Sequence, residues 1–187
     1  MAMSQNCCTP VDGDQKEVHL NEASCCVPVW VGNGHKLTTP QSNHCPTCGQ
    51  KGKKVDSLTL KAMLDVSLLA VREIPYLFCR TAGCPVVYFA ADGIQVFTKD
   101  QIRVPVHQKE PDNDHVPVCY CFCHSPATIH AEWLATGRST VVEEIEAGIK
   151  AGQCACEIRN PQGSCCLGNV SAVVKQLCLI KTTAAPT

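Results

Sequence analysis

The sequence contains few charged and few aromatic residues. Only 18% of its 187 residues are charged and 5% are aromatic, and 16 Lys and Arg residues nearly balance 17 Asp and Glu residues. A nucleic-acid-binding protein usually displays a basic patch, often with aromatic side chains that stack on bases. The sequence therefore predicts no nucleic-acid partner.

Long apolar segments are also lacking. The longest apolar runs, such as "PVVYFAA" at residues 85–91, are far shorter than the roughly 20 residues that cross a bilayer. The opening "MAMSQNCCTP" has neither the basic start nor the apolar core of a secretory signal. We therefore expect no membrane insertion and a cytoplasmic location.

Catalytic signatures are missing as well. The sequence has no evident Ser-His-Asp set and no phosphate-binding loop, so we assign no catalytic residue. The histidines other than His44 lack a ligand-like pairing, and Glu143, Glu144 and Glu146 are interpreted as a solvated helix face. We expect a redox or metal-binding protein rather than an enzyme.

Cysteine, in contrast, is abundant. There are 16 cysteines, a density of roughly 8–10%, which in short secreted chains marks a disulfide scaffold. Without an export signal, the same density favours metal or redox chemistry over disulfides. The cysteines also fall in Cys-Cys, Cys-x2-Cys, Cys-x4-Cys and Cys-x-Cys groups, as metal ligands do.

The change in residue composition and patterning along the chain predicts an α+β protein made of two small modules. The predicted divisions are a flexible tail over 1–43, a zinc-binding β module over 44–106, a linker over 107–118, an all-α domain over 119–180 and a tail over 181–187. The β-branched and aromatic runs "YLFC", "PVVYFA" and "GIQVFT" indicate strands, and Asp92-Gly93 indicates a hairpin between the last two.

The second module is predicted to be helical. Ser125-Pro126 is typical of a helix start, and the first helix should place Ile129, Trp133 and Leu134 on one face before it ends at Gly137. Thr140 with Glu143 predicts a capping box for a second helix. A third helix is expected over "LGNVSAVVKQLCLI" at residues 167–180.

Two close cysteine pairs lie in the β module: Cys45-x2-Cys48 and Cys79-x4-Cys84. Four thiolates without an open position are typical of structural zinc. A rubredoxin-like iron site and reduced core cysteines are the alternatives. His44 could replace one thiolate, although a solvated loop histidine is the simpler interpretation.

A second cysteine group opens the helical module. Cys119-x-Cys121, then about thirty helical residues and a cysteine-rich loop, resembles the bacterioferritin-associated ferredoxin-like family. In that family, Cys-x-Cys and two later cysteines bind a 2Fe–2S cluster, and Cys-x-Cys lies seven residues before a Thr-Ile pair. Because Thr128 lies seven residues beyond Cys121, the resemblance implies that Cys119 and Cys121 are ligands and that Cys123 is not.

A wider resemblance covers residues 44–178. The stretches "FCRTAGCPVVYF" and "VCYCF…NPQGSCCLGN" resemble the N-terminal domain of archaeal copper chaperones of the CopZ family, which carries zinc and a 2Fe–2S cluster. The resemblance implies Cys156 and Cys166 as the remaining cluster ligands, with Cys154 and Cys165 as alternates. No Met-x-Cys-x2-Cys copper loop is present, and Cys178 is solitary.

The tail carries two short repeats, "CCTP" and "CCVP". Their adjacent thiols, Cys7-Cys8 and Cys25-Cys26, are soft ligands suited to Cu⁺ or Hg²⁺; idle thiols are the alternative. We thus expect a metal-homeostasis protein that binds or reduces a soft metal ion and delivers it to a metal-transporting ATPase or another metal-handling protein. The alternatives are a ferredoxin that donates electrons to an oxidoreductase partner, and a scaffold whose cluster is structural.

Overall fold

The computed structural model describes residues 42–183, so the proposed soft-metal cysteines Cys7, Cys8, Cys25 and Cys26 lie outside the described residues. Within residues 42–183, four strands and five α-helices follow one another. They are β1 (Lys53–Val55), α1 (Ser57–Met63), β2 (Tyr76–Phe78), β3 (Val86–Ala90), β4 (Val96–Thr98), α2 (Pro126–Thr136), α3 (Val141–Lys150), α4 (Cys156–Arg159) and α5 (Leu167–Thr183). Short 3-10 turns occur at Leu68–Ala70, Lys99–Gln101 and His107–Lys109.

The strands form one antiparallel sheet in the order β1-β2-β3-β4. The three predicted strands are present, and the predicted hairpin joins β3 to β4 through Gly93, whose φ of 73° suits glycine. The small antiparallel sheet and the helices agree with the predicted α+β class. Within residues 42–183, no helix is both long enough and apolar enough to span a bilayer.

Both faces of the sheet are covered, because every residue of β3 is buried. Phe78 and Tyr88 belong to a core that includes Leu60 and Met63 of α1. Leu77 and Phe89 belong to a second core, which also contains three of the four paired cysteines. The first cysteine group therefore packs against this face of the sheet.

The helices form a third core around the second cysteine group. Ile129 of α2, Ile145 of α3 and Val170 of α5 are fully or almost fully buried there, together with Cys119, Cys156 and Cys166. Ser125 caps α2 by accepting a hydrogen bond from the Thr128 amide at 3.2 Å, and α2 ends at Gly137 in the left-handed region, as predicted.

Two helix predictions were wrong. Leu134 is 73% exposed although Ile129 is buried, because five residues along a helix rotate a side chain well away from the first position. Thr140 precedes α3 but makes no capping hydrogen bond with its side chain. Its hydroxyl instead lies between two carboxylate acceptors, 2.7 Å from Glu132 and 2.8 Å from Glu144.

The sheet and the helical part contact each other directly. The hydroxyl of Tyr88 on β3 donates a hydrogen bond to the carbonyl of Pro161 at 2.5 Å, and α1 packs against α4. Lys53 of β1 also donates to the Ser164 hydroxyl. The described residues 42–183 all belong to one compact unit, while the predicted division at 107–118 remains a prediction.

Candidate metal centres

The first centre begins with a tight turn at Cys45–Gln50. The Cys45 amide donates to the Gln50 carbonyl at 2.9 Å, and the Gly49 amide donates to the Cys45 carbonyl at 2.8 Å. Gly49 has a φ of 70°, a conformation that glycine adopts without strain. This turn directs the Cys45 and Cys48 thiols toward the sheet.

The other two thiols of this centre come from the loop between β2 and β3. Cys79 follows β2 directly and Cys84 lies two residues before β3, and both are almost completely buried. The Cys45 and Cys84 sulfurs are 3.9 Å apart and the Cys48 and Cys79 sulfurs are 3.6 Å apart. All four sulfurs lie within 4.8 Å of one another.

These distances fit a tetrahedral zinc ion. With Zn–S bonds of about 2.3 Å, two sulfurs of a tetrahedral site lie roughly 3.8 Å apart. The observed 3.6 and 3.9 Å bracket this value. His44 is exposed and does not join the four thiols, so the donor set is four cysteines.

Local contacts set the acidity of these thiols. A hydrogen bond with the Thr81 hydroxyl, at 3.3 Å, lowers the pKa of Cys48 to about 6. Burial raises the pKa of Cys84 to about 12 and also raises that of Cys45. Removing four protons from this pocket without a cation is thus unfavourable, and a bound divalent ion compensates for that cost.

The second centre contains five thiols from three segments. Cys121, Cys154 and Cys156 lie within 4.8 Å of one another. Cys166 hydrogen-bonds to both Cys119 and Cys156, which lowers the pKa of Cys119 to about 7 and that of Cys156 to about 5. The same contacts raise the pKa of Cys166, and burial raises that of Cys121 to about 12.

Secondary structure explains how these thiols meet. Cys156 is the first residue of α4, and Cys166 directly precedes α5, where its carbonyl accepts from the Val170 amide at 3.0 Å. Asn160 is 1% exposed, and its side-chain amide donates to the Ser164 carbonyl at 2.7 Å. This bond closes the loop that brings Cys166 back to Cys156.

The remaining cysteines of this region point elsewhere. Cys123 is exposed and has a φ of 60°, and Cys165 and Cys178 are also exposed. None of these three belongs to either group of adjacent thiols. The structure thus brings together all the predicted cluster ligands and the alternate Cys154, but not the alternate Cys165.

Two other residues near the centres were not found from the sequence. Thr81 contacts Cys48, and Lys109, only 4% exposed, donates to the Thr81 carbonyl at 2.9 Å. Neither residue type is a usual metal ligand, and Lys109 lies in a polar segment interpreted as a linker. For a third residue, Asn160, the sequence did offer a signal, because "NPQG" is a turn-forming stretch.

Comparison with known proteins supports the first centre. Residues 42–103 match a family model, zf_CopZ, described as a zinc binding domain. No curated protein matches the sequence. A solved structure, the X-ray structure of the Archaeoglobus fulgidus CopZ N-terminal domain, is 29% identical with a TM-score of 0.59, and the match covers 70% of this chain and 96% of that one.

The match to the solved structure extends well beyond the 62 or so residues of the family model and thus includes helical segments as well as the sheet. The four thiols of the first centre all lie inside the region that the family model matches. Residues 42–103 are therefore similar to a zinc binding domain, and the chain is similar over 70% of its length to a CopZ N-terminal domain.

Proposed function

We propose that this protein binds one zinc ion and one 2Fe–2S cluster and handles a soft metal ion. The observation that carries the proposal is the pair of separate thiol groups, one of four sulfurs and one of five, in a single compact unit. The zinc ligands are Cys45, Cys48, Cys79 and Cys84. Four closed thiolates leave no position for a substrate, so the zinc is structural.

The proposed cluster ligands are Cys119, Cys121, Cys156 and Cys166. Four thiolates are standard ligation for a 2Fe–2S cluster, and ligands of two different irons need not all lie within the reach of one ion. The near-complete burial of Cys119 and Cys166 excludes water from that side of the site. When bound, such a cluster supplies the one-electron chemistry that conversion of Cu²⁺ to Cu⁺ requires.

The residues around this second centre prepare it for negative charge. The Ala155 amide donates to the Cys121 sulfur at 3.4 Å, which favours a thiolate at that position. Cys121 is only half-buried, so this edge of the centre is close to the surface. A redox partner or an incoming ion would approach there.

The proposed cargo is Cu⁺ or Hg²⁺, bound by Cys7, Cys8, Cys25 and Cys26 and passed to a metal-transporting ATPase or another metal-handling protein. The similar structure is named for CopZ, and adjacent thiols are soft ligands. A titration of the reduced protein with Cu⁺ against a competing thiol tests this step. Equal stoichiometry and affinity in wild type and in the variant with serine at all four positions would refute it.

A ferredoxin that donates electrons to an oxidoreductase is the second candidate function. The half-exposed Cys121 favours it, because an electron-transfer site needs an edge near solvent. The Cu⁺ titration described above distinguishes the two candidate functions. A ferredoxin keeps its cluster and exchanges one electron with its partner but shows no stoichiometric Cu⁺ binding that depends on the four tail cysteines.

A further inference from the structure

The second centre holds one thiol more than a 2Fe–2S cluster needs. Cys121, Cys154 and Cys156 lie within 4.8 Å of one another, and Cys166 interacts with Cys119 and Cys156; the cluster uses only four thiolates. Cys154 lies in the loop after α3 and is half-buried, while Cys156 is 6% exposed. The extra thiol is therefore the one nearer to solvent.

Distances between sulfur atoms show that Cys154 and Cys156 compete for the position beside Cys121. Cys121 is 3.7 Å from Cys156 and 4.0 Å from Cys154, close on both sides to the roughly 3.8 Å expected for two sulfurs on one tetrahedral ion. Cys154 and Cys156 are only 3.3 Å apart, which is too close for both to bind the same ion in this arrangement. Each can pair with Cys121, but they exclude each other.

We propose that Cys154 is a reserve ligand that takes the place of Cys156 beside Cys121. This inference rests on the proposed function, because it assumes the cluster. The two residues flank Ala155, whose amide holds the Cys121 sulfur, so a small rotation of this loop exchanges one thiol for the other. Gly152, with a φ of 69°, lies two residues beyond the end of α3 and begins that loop. The protein thereby keeps its cluster when Cys156 is blocked.

Alanine variants test the proposal, since alanine offers no ligand atom. Iron, sulfide and the visible circular dichroism are measured after anaerobic purification of Cys154→Ala, Cys156→Ala and the double variant, with the exposed Cys165→Ala as control. We expect a wild-type spectrum in Cys154→Ala and Cys165→Ala. Cys156→Ala should keep its iron and sulfide with a shifted spectrum, and the double variant should lose both.

The contrary results are distinct. Loss of the cluster in Cys156→Ala alone would show that Cys154 cannot replace it, and loss in Cys154→Ala alone would make Cys154 the resident ligand; either result overturns the proposal. Absence of iron and sulfide in the wild type would instead overturn the proposed function. Zinc content and far-ultraviolet circular dichroism, both expected at wild-type values, verify that each variant is folded.

A separate observation concerns the first centre. Lys109 is 4% exposed, and within residues 42–183 no carboxylate lies at ion-pair distance from it. A buried ammonium without a counter-charge is unfavourable. Its Nζ donates to the carbonyl of Thr81, whose hydroxyl contacts Cys48. The zinc–thiolate group, to which Thr81 connects Lys109, is thus a candidate for the counter-charge.

The geometry points to Lys109 as a positioning residue that neutralises this centre. Zinc with four thiolates carries a net charge of about −2, which a nearby buried cation partly offsets. Lys109 lies in the turn His107–Lys109, while Thr81 lies between Cys79 and Cys84. One side chain therefore links the stretch leading to the second centre with the loop that supplies two zinc ligands.

Zinc affinity in Lys109→Met and Lys109→Arg tests this role, with Lys61→Met, at an exposed position of α1, as control. We expect a loss of about tenfold or more in Lys109→Met, the usual effect of removing an outer-shell partner, and near wild-type affinity in Lys109→Arg and Lys61→Met. The sulfur-to-metal absorption band of the cobalt-substituted protein should shift only in Lys109→Met. Wild-type affinity in Lys109→Met, or equal losses in the methionine and arginine variants, would refute a charge effect.

Discussion

Replacing Tyr88 by phenylalanine removes one hydrogen bond between the sheet and the loop that leads to Cys166. The Tyr88 side chain is fully buried, and its hydroxyl donates to the Pro161 carbonyl at 2.5 Å. Loss of the donor leaves a buried carbonyl without its partner, which costs about 1–3 kcal/mol. For a protein of this size, a loss of about 2 kcal/mol lowers Tm by roughly 4–8 °C.

The assay is thermal unfolding followed by far-ultraviolet circular dichroism, with zinc and iron contents matched between samples because metal loss breaks two-state behaviour. Tyr76→Phe is the matched control: Tyr76 lies on β2, and its hydroxyl donates to Gln95 within the sheet region. Tyr88→Phe should also alter the visible circular dichroism of the second centre, and Tyr76→Phe should not. An unchanged Tm and spectrum in Tyr88→Phe would refute the coupling.

Three further predictions concern single side chains. Cys79→Ala should abolish zinc binding and lower Tm without removing the iron, because a closed zinc site contributes to folding; metal analysis that still finds one zinc per chain would contradict this. Gly148→Ala should cost about 1–3 kcal/mol in denaturant unfolding, since a Cβ there would lie 2.3 Å from the Phe122 ring, and an unchanged midpoint would show that the ring moves freely. Glu132→Ala should cost about 1 kcal/mol, as loss of a helix cap does, because Glu132 accepts from Ser139 and from the Thr140 amide at 2.8 Å. The hydrogen bond from the Ser139 hydroxyl is the main cause that lowers the pKa of Glu132. The difference in stability between Glu132→Ala and wild type should therefore be present at neutral pH and vanish when acid protonates the carboxylate, below its usual pKa range. A difference in stability that persists at that low pH would contradict the assignment.

Local signals in the sequence predicted most of the sheet and helix starts. β-branched and aromatic runs located β2, β3 and β4, and Ser125-Pro126 located the start of α2. These features depend on neighbouring residues only, so a single sequence suffices. The fold class follows from the same signals, and the observed sheet and helices agree with it.

Features that depend on distant contacts were missed. Thr140 was expected to cap its own helix, but Glu132 on the preceding helix attracts its hydroxyl. Leu134 was expected on the same face of α2 as Ile129, but it is 73% exposed whereas Ile129 is fully buried. The burial of Lys109 depends on a loop almost thirty residues earlier in the chain, which no local pattern reveals.

The cysteine groups illustrate both cases. Spacing predicted the four thiols of the first centre, because two short knuckles at a sheet edge have few ways to converge. In the second centre, spacing left Cys154 and Cys156 as alternatives, and the structure brings both beside Cys121. A sequence pattern selects each ligand separately. Only the distances between sulfur atoms show that two cysteines lie beside the same partner thiol.

Element-resolved X-ray absorption of the anaerobically purified protein tests the central claim most directly, because it examines each metal in the intact chain. The account predicts one zinc per chain with four sulfur neighbours at about 2.3 Å, and two irons with sulfur ligation and a short iron–iron distance. Zinc with nitrogen or oxygen neighbours, or iron without sulfide, would contradict it.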